Sequence, residues 1–134
     1  MSRTRHYRDL IAWLMAMELA RAIYAQTENF PNSETFGLRM QLRRSAVNVA
    51  SRIAEAHGRL NDVEMRKGLG AARAAINELQ TQIELAASLG FFQAGSSAEL
   101  LDFGTRVAKL INALLGVLES ESDSTREHAN LPRA

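Results

Sequence analysis

Apolar positions recur along this chain at the three-and-four spacing of helices, in four runs separated by short polar breaks. In the first run, about 10–27, Leu10, Trp13, Met17, Ala20 and Tyr24 form one stripe, and Ala12, Ala16, Leu19 and Ile23 form a second on a different face. Only Glu18 and Arg21 are charged inside it. A helix apolar nearly all round must be covered on more than one side. Asp9 stands where it would cap the exposed amides, and Pro31 blocks any continuation. The second run, 33–57, places Leu42, Ala46, Val49, Ala50 and Ile53 on one face. Gln41, Arg44, Asn48, Arg52, Glu55 and Arg59 lie opposite, whereas Arg39 and Arg43 fall inside the apolar arc. Gly58 is a natural stop.

The third run, 61–89, opens on Asn61 with Glu64 in capping-box position and carries Leu69, Ala72, Ile76, Leu79, Ile83 and Ala86. Beside that stripe lie Gly68, Ala71 and Ala75, small enough to let another helix approach closely. The fourth, 97–119, keeps coiled-coil-like spacing through Leu100, Phe103, Val107, Ile111, Leu114 and Leu118, with Leu101, Ala108 and Leu115 alongside. Short loops between helices of similar length predict an all-α, antiparallel up-and-down four-helix bundle. The chain divides into a basic N-terminal segment at 1–8, the bundle at 9–119, and a polar tail at 120–134 whose composition reads as disordered.

Charge sharpens the picture by its placement. The net charge is only +1, yet residues 1–8 carry Arg3, Arg5 and Arg8 without an acid, and 34–59 carries five arginines against Glu34 and Glu55. Arginine is always charged and donates bidentately to phosphate, so Arg44, Arg52 and Arg59 are candidate nucleic-acid contacts. Taken alone, the same stripe reads first as a solvated polar face that keeps the protein soluble. Arg43, on the packed side, needs a fixed partner, because a buried charge stripped of its partner costs about 3–5 kcal/mol. A helical hairpin closing near 58–61 puts Arg43 level with 76–80, so the expected structural ion pair is Arg43 with Glu78.

Catalytic and metal chemistry find little footing. The chain lacks cysteine, which excludes disulfides and thiolate metal sites and is compatible with a reducing cytoplasm. None of His6, His57 and His128 follows an acid by three residues, as a di-iron bundle site requires. Gly68-Leu69-Gly70 sits inside a helical pattern without the strand and turn of a phosphate loop. No segment has the apolar run of a signal peptide or the ~20 apolar residues of a membrane span. The expectation is a non-enzymatic cytoplasmic protein with no cofactor, metal or membrane association.

One segment carries more specific wording: Phe30 to Arg59, FPNSETFGLRMQLRRSAVNVASRIAEAHGR. The pattern FP-x-x-E-x-x-GL-x-x-Q-L-RR, a small-residue run and I-A-E-x-x-GR resembles the four-helix bundle family of 23S rRNA intervening-sequence proteins, which also takes in accessory proteins of diversity-generating retroelements. The resemblance extends upstream through Asp9-Leu10-x-x-Trp13 and Tyr24, and downstream through Ala72-Arg73, Glu78-Leu79 and Leu89-Gly90-Phe91. It implies a homopentameric ring, and it implies that the family's residues at Arg43, Arg44, Glu55 and Glu78 recur mainly for architecture. It also links the chain to ribosomal RNA genes and to nucleic-acid and reverse-transcriptase binders.

The wording departs from the family at one place. Members often read Pro-x-Asn-Ile-Ala-Glu-Gly where this chain has Ala50-Ser51-Arg52-Ile53-Ala54-Glu55-Ala56. A helix-kinking proline and an amide are lost, and a positive charge is gained. The function expected is a homo-oligomer that binds RNA, DNA or an RNA–protein complex through Arg44, Arg52 and Arg59. The alternative is a scaffold docking a protein partner such as a reverse transcriptase, without touching nucleic acid.

Overall fold

The computed structural model describes residues 6–7 and 10–130, with side chains as far as 119. Its four helices are α1 (Ile11–Gln26), α2 (Leu38–His57), α3 (Asp62–Ser88) and α4 (Ser96–Asn130), with a 3-10 turn at Asn32–Glu34. Each helix packs on its chain neighbour and α4 returns to α1, while among the described residues the backbones of diagonal pairs stay apart. That closed ring is the expected all-α up-and-down four-helix bundle, and among the described residues it contains no strand.

The inner stripes hold it together. Ala12, Ala16, Leu19 and Ile23 of α1 meet Leu42, Ala46, Val49 and Ile53 of α2 in the buried core. Leu69, Ile76, Leu79 and Ile83 of α3 and Leu100, Val107, Ile111, Leu115 and Leu118 of α4 complete it. Each large aliphatic side chain buried in this way contributes about 1.5–3 kcal/mol. In α4 the core takes Leu115, while Leu114 is only partly buried. At 3.6 residues per turn Leu115 points about 40° from Ile111 and Leu114 about 60°, so a straight helix favours the former.

The connections position the site. Asn61 caps α3 as expected, its side chain accepting the Glu64 N–H at 2.9 Å. Close by, α3 crosses α2 tightly. A Cβ on Gly68 would lie 2.7 Å from the Cβ and 2.8 Å from the Cα of Ala56. Gly90 (φ 78°) and Gly95 (φ 85°) turn the chain between α3 and α4. Between them Phe91 and Phe92 pack on Phe30, at ring separations of 5.6 and 5.0 Å, and close that end of the bundle.

Three boundaries differ from expectation. α2 starts at Leu38 instead of 33, because the 3-10 turn intervenes and Glu34 folds back to accept the Leu38 N–H at 2.8 Å. The residue at the cap position of α1 is Leu10, which makes no side-chain cap bond; Asp9 lies outside the described residues. Arg3, Arg5 and Arg8 of the basic N-terminal segment lie outside them too. α4 continues to Asn130, past the expected end at 119 and through most of the segment read as a disordered tail. Neither glycine nor proline occurs between Gly116 and Pro132, so nothing local terminates that helix. Residues 131–134 are outside the described residues. Among the described residues no helix is long and apolar enough to cross a membrane.

Candidate nucleic-acid interface

The antiparallel pairing of α1 with α2 through a short turn brings the first turns of α2 level with the last turn of α1. Arg43 therefore reaches α1. Its Nε donates to Thr27 Oγ1 at 3.0 Å, and its Nη2 donates to the Tyr24 carbonyl and to Glu28 Oε2, both at 3.1 Å. The guanidinium also lies over the Tyr24 ring, 4.5 Å from its centroid. Thr27 is fully buried and donates its own hydroxyl proton to the Ile23 carbonyl at 2.7 Å, which fixes the oxygen that receives Arg43. Arg39, one turn earlier, reaches the same Glu28 oxygen at 3.4 Å.

The expected ion pair of Arg43 with Glu78 is therefore not made; its carboxylate partner is Glu28. Glu78 is exposed on α3 and accepts from Gln82 at 3.4 Å. It shares a hollow of about 380 Å³ with Arg44, Ser45 and Asn48. The level along the hairpin was right and the azimuth wrong. Arg44 borders both this hollow and the α1 side of α2, whereas Arg43 turns to α1.

Arg44, Arg52 and Arg59 are all exposed, as a nucleic-acid contact requires. They are not equivalent. Arg52 donates to Glu55 one turn on, at 3.3 Å, so part of its charge is answered locally. Arg59 stands in the turn after Gly58, beyond the end of α2. Arg44 instead joins Arg39 and Arg43 around a cavity of about 370 Å³, lined also by Tyr24, Thr35 and Met40. Sequence reasoning missed Tyr24, Thr27, Glu28 and Arg39 as members of one cluster. The usable signal was the short connection, which places the end of one helix beside the start of the next.

A second feature adjoins this one. Between α1 and α2 the outward stripe of α1 borders a groove of about 610 Å³ lined by Tyr7, Trp13, Met17, Tyr24, Val47 and Ala54, with the Tyr7 ring edge-on to Trp13 at 5.2 Å. Tyr24 borders both the groove and the arginine cavity. A smaller apolar seam of about 290 Å³ runs between α1 and α4, past Ile11, Leu110 and Val117. Among the described residues no group of His, Asp and Glu is placed to hold a metal ion.

Comparison with known proteins bears on this architecture. A crystal structure of a protein of unknown function from the S23 ribosomal protein family of Bacteroides thetaiotaomicron VPI-5482 superposes with a TM-score of 0.70. It is 19% identical, and the match covers 78% of this chain and 98% of the other, so the two share a fold. No curated protein matches the sequence. The family description "23S rRNA-intervening sequence protein" matches residues 8–113, which takes in α1, α2, α3 and the first half of α4. With the bundle and that match together, the chain belongs to the 23S rRNA-intervening sequence protein family.

Proposed function

We propose that this protein is a non-enzymatic homo-oligomer that binds nucleic acid, RNA or an RNA–protein complex, through the arginine-bearing face of α2. The observation that carries this reading is the adjacency of two surfaces on one side of the bundle. The arginine cavity and the apolar groove meet at Tyr24. We read an apolar groove beside a charged one as a surface for association between copies of the chain. Repeating a few arginines around a ring raises avidity through effective concentration, which one subunit cannot do. The family name associates its members with ribosomal RNA, and the resemblance in Phe30–Arg59 favours a homopentamer.

The test is fluorescence anisotropy with labelled single-stranded RNA and duplex DNA across a salt series. Affinity is expected to fall steeply with salt, because release of condensed counterions drives phosphate contacts. Sequence preference is expected to be slight, since phosphate contacts do not read bases. Changing Arg44, Arg52 and Arg59 together to glutamate should abolish retention while the oligomer survives. Retention unchanged in that variant would refute this face as the contact. Absence of binding by the parent protein would favour the scaffold reading, in which the same surface docks a partner such as a reverse transcriptase.

A further inference from the structure

We propose that the cavity bounded by Arg39, Arg43 and Arg44 is a phosphate-binding pocket, for which Glu28 acts as a built-in competitor. This deepens the nucleic-acid reading by moving the principal contact from Arg52 and Arg59 to the junction of α1 and α2.

Three observations converge on it. The first is a surplus of charge. Arg39 and Arg43 share one carboxylate, that of Glu28, and Arg44, which also borders the hollow of Glu78, brings a third guanidinium to the same cavity. The second is an orphan donor. The Nε of Arg39 is buried and has no hydrogen-bond partner among the described residues. A buried guanidinium N–H without an acceptor is unfavourable, and a turn of the Arg39 side chain into the cavity would let a phosphate oxygen supply one of the right charge. The third is preorganisation. Thr27, the Tyr24 carbonyl and the Tyr24 ring hold Arg43 in place independently of Glu28, so the cation stays aimed when the carboxylate leaves.

Glu28 suits the part of a displaceable occupant. It lies just past α1, its side chain is 67% exposed, and its contacts to the arginines are 3.1 and 3.4 Å. An exposed carboxylate held this way returns to water at little cost, because exposed ion pairs are worth only about 0–1 kcal/mol. A phosphate brings more acceptor oxygens and more charge to the same cations. The cavity, about 370 Å³, has room for it. Arg52 is poorer placed, its charge being answered by Glu55.

The experiment follows the arginine Nε–H resonances of the full chain by NMR during titration with inorganic phosphate and, separately, with a short single-stranded RNA oligonucleotide. Glu28→Gln, Arg39→Gln and Arg52→Gln are titrated alongside. The Arg39 Nε–H signal should shift with either probe. Glu28→Gln should tighten binding roughly three- to tenfold, the size expected for deleting one unit charge beside a solvent-facing anion. Arg39→Gln should weaken it, and Arg52→Gln should change it little. Glu28→Gln sits at an exposed position, so its result does not depend on whether Arg39→Gln folds. A response to phosphate without RNA binding would keep the pocket and remove the nucleic-acid reading. RNA binding that Arg52→Gln weakens, while Glu28→Gln and Arg39 are silent, would overturn the pocket and leave that reading standing. Silence of Arg39 and no gain in Glu28→Gln toward either probe would also overturn it.

Discussion

Arg43 is held by a buried hydroxyl, a main-chain carbonyl, an aromatic face and an exposed carboxylate. These partners differ in what they contribute to stability. Thr27 is fully buried, so replacing it with valine keeps the shape but leaves the Arg43 Nε–H without its acceptor. That should cost about 1–3 kcal/mol in urea denaturation. Glu78→Ala should stay within about 0.5 kcal/mol of the parent, because Glu78 is exposed and not bonded to Arg43. The reverse ranking would restore the pairing that hairpin level alone suggests. That pairing was only half legible in the sequence: periodicity placed Arg43 on the packed side, but two helices flank that side. Choosing between them depends on the rotation of α2 within the ring, which one-dimensional spacing does not carry.

At the scale of the helices, what was legible follows the strength of the local signal. α3 was readable at both ends, since Asn61 with Glu64 forms a cap and Gly90 turns the chain. α2 was readable in its body and not at its start, because Glu34 caps Leu38 from within a 3-10 turn that shares the composition of a first helical turn. α4 was readable to the end of its apolar stripe; its continuation is polar and unpatterned, and lacks only a breaker. The small-residue run of α3 predicted a close neighbour, and α2 is that neighbour at Ala56. Gly68→Ala sets two effects against each other. Alanine raises helix propensity by about 1 kcal/mol. Forcing a methyl against buried backbone costs about 1–3 kcal/mol. The new atom would lie 2.8 Å from the Ala56 Cα, which cannot swing aside as a side chain can, so the clash should win. Thermal melting should show a lower midpoint, whereas a raised one would mean that the helices separate there without penalty.

For the whole molecule, the bundle buries one stripe of α1 together with Leu10 and Ala20 of the other, and leaves Trp13, Met17 and Tyr24 along a groove against α2. The proposed oligomer covers that groove and sets the arginine cavities in a repeating array, so assembly and nucleic-acid binding should rise and fall together. Sedimentation velocity with dye-labelled single-stranded RNA reads both at once. At micromolar concentration the parent protein should sediment as a species larger than one chain and carry the RNA with it. Val47→Glu places a charge in the groove at a residue 46% exposed in the single chain, so the bundle itself should remain folded by circular dichroism. That variant should sediment as a monomer and release most of the RNA at the same salt. A parent protein that sediments as a monomer and still carries RNA, or a Val47→Glu monomer that retains it undiminished, would contradict the proposal that the assembled ring is the binding form.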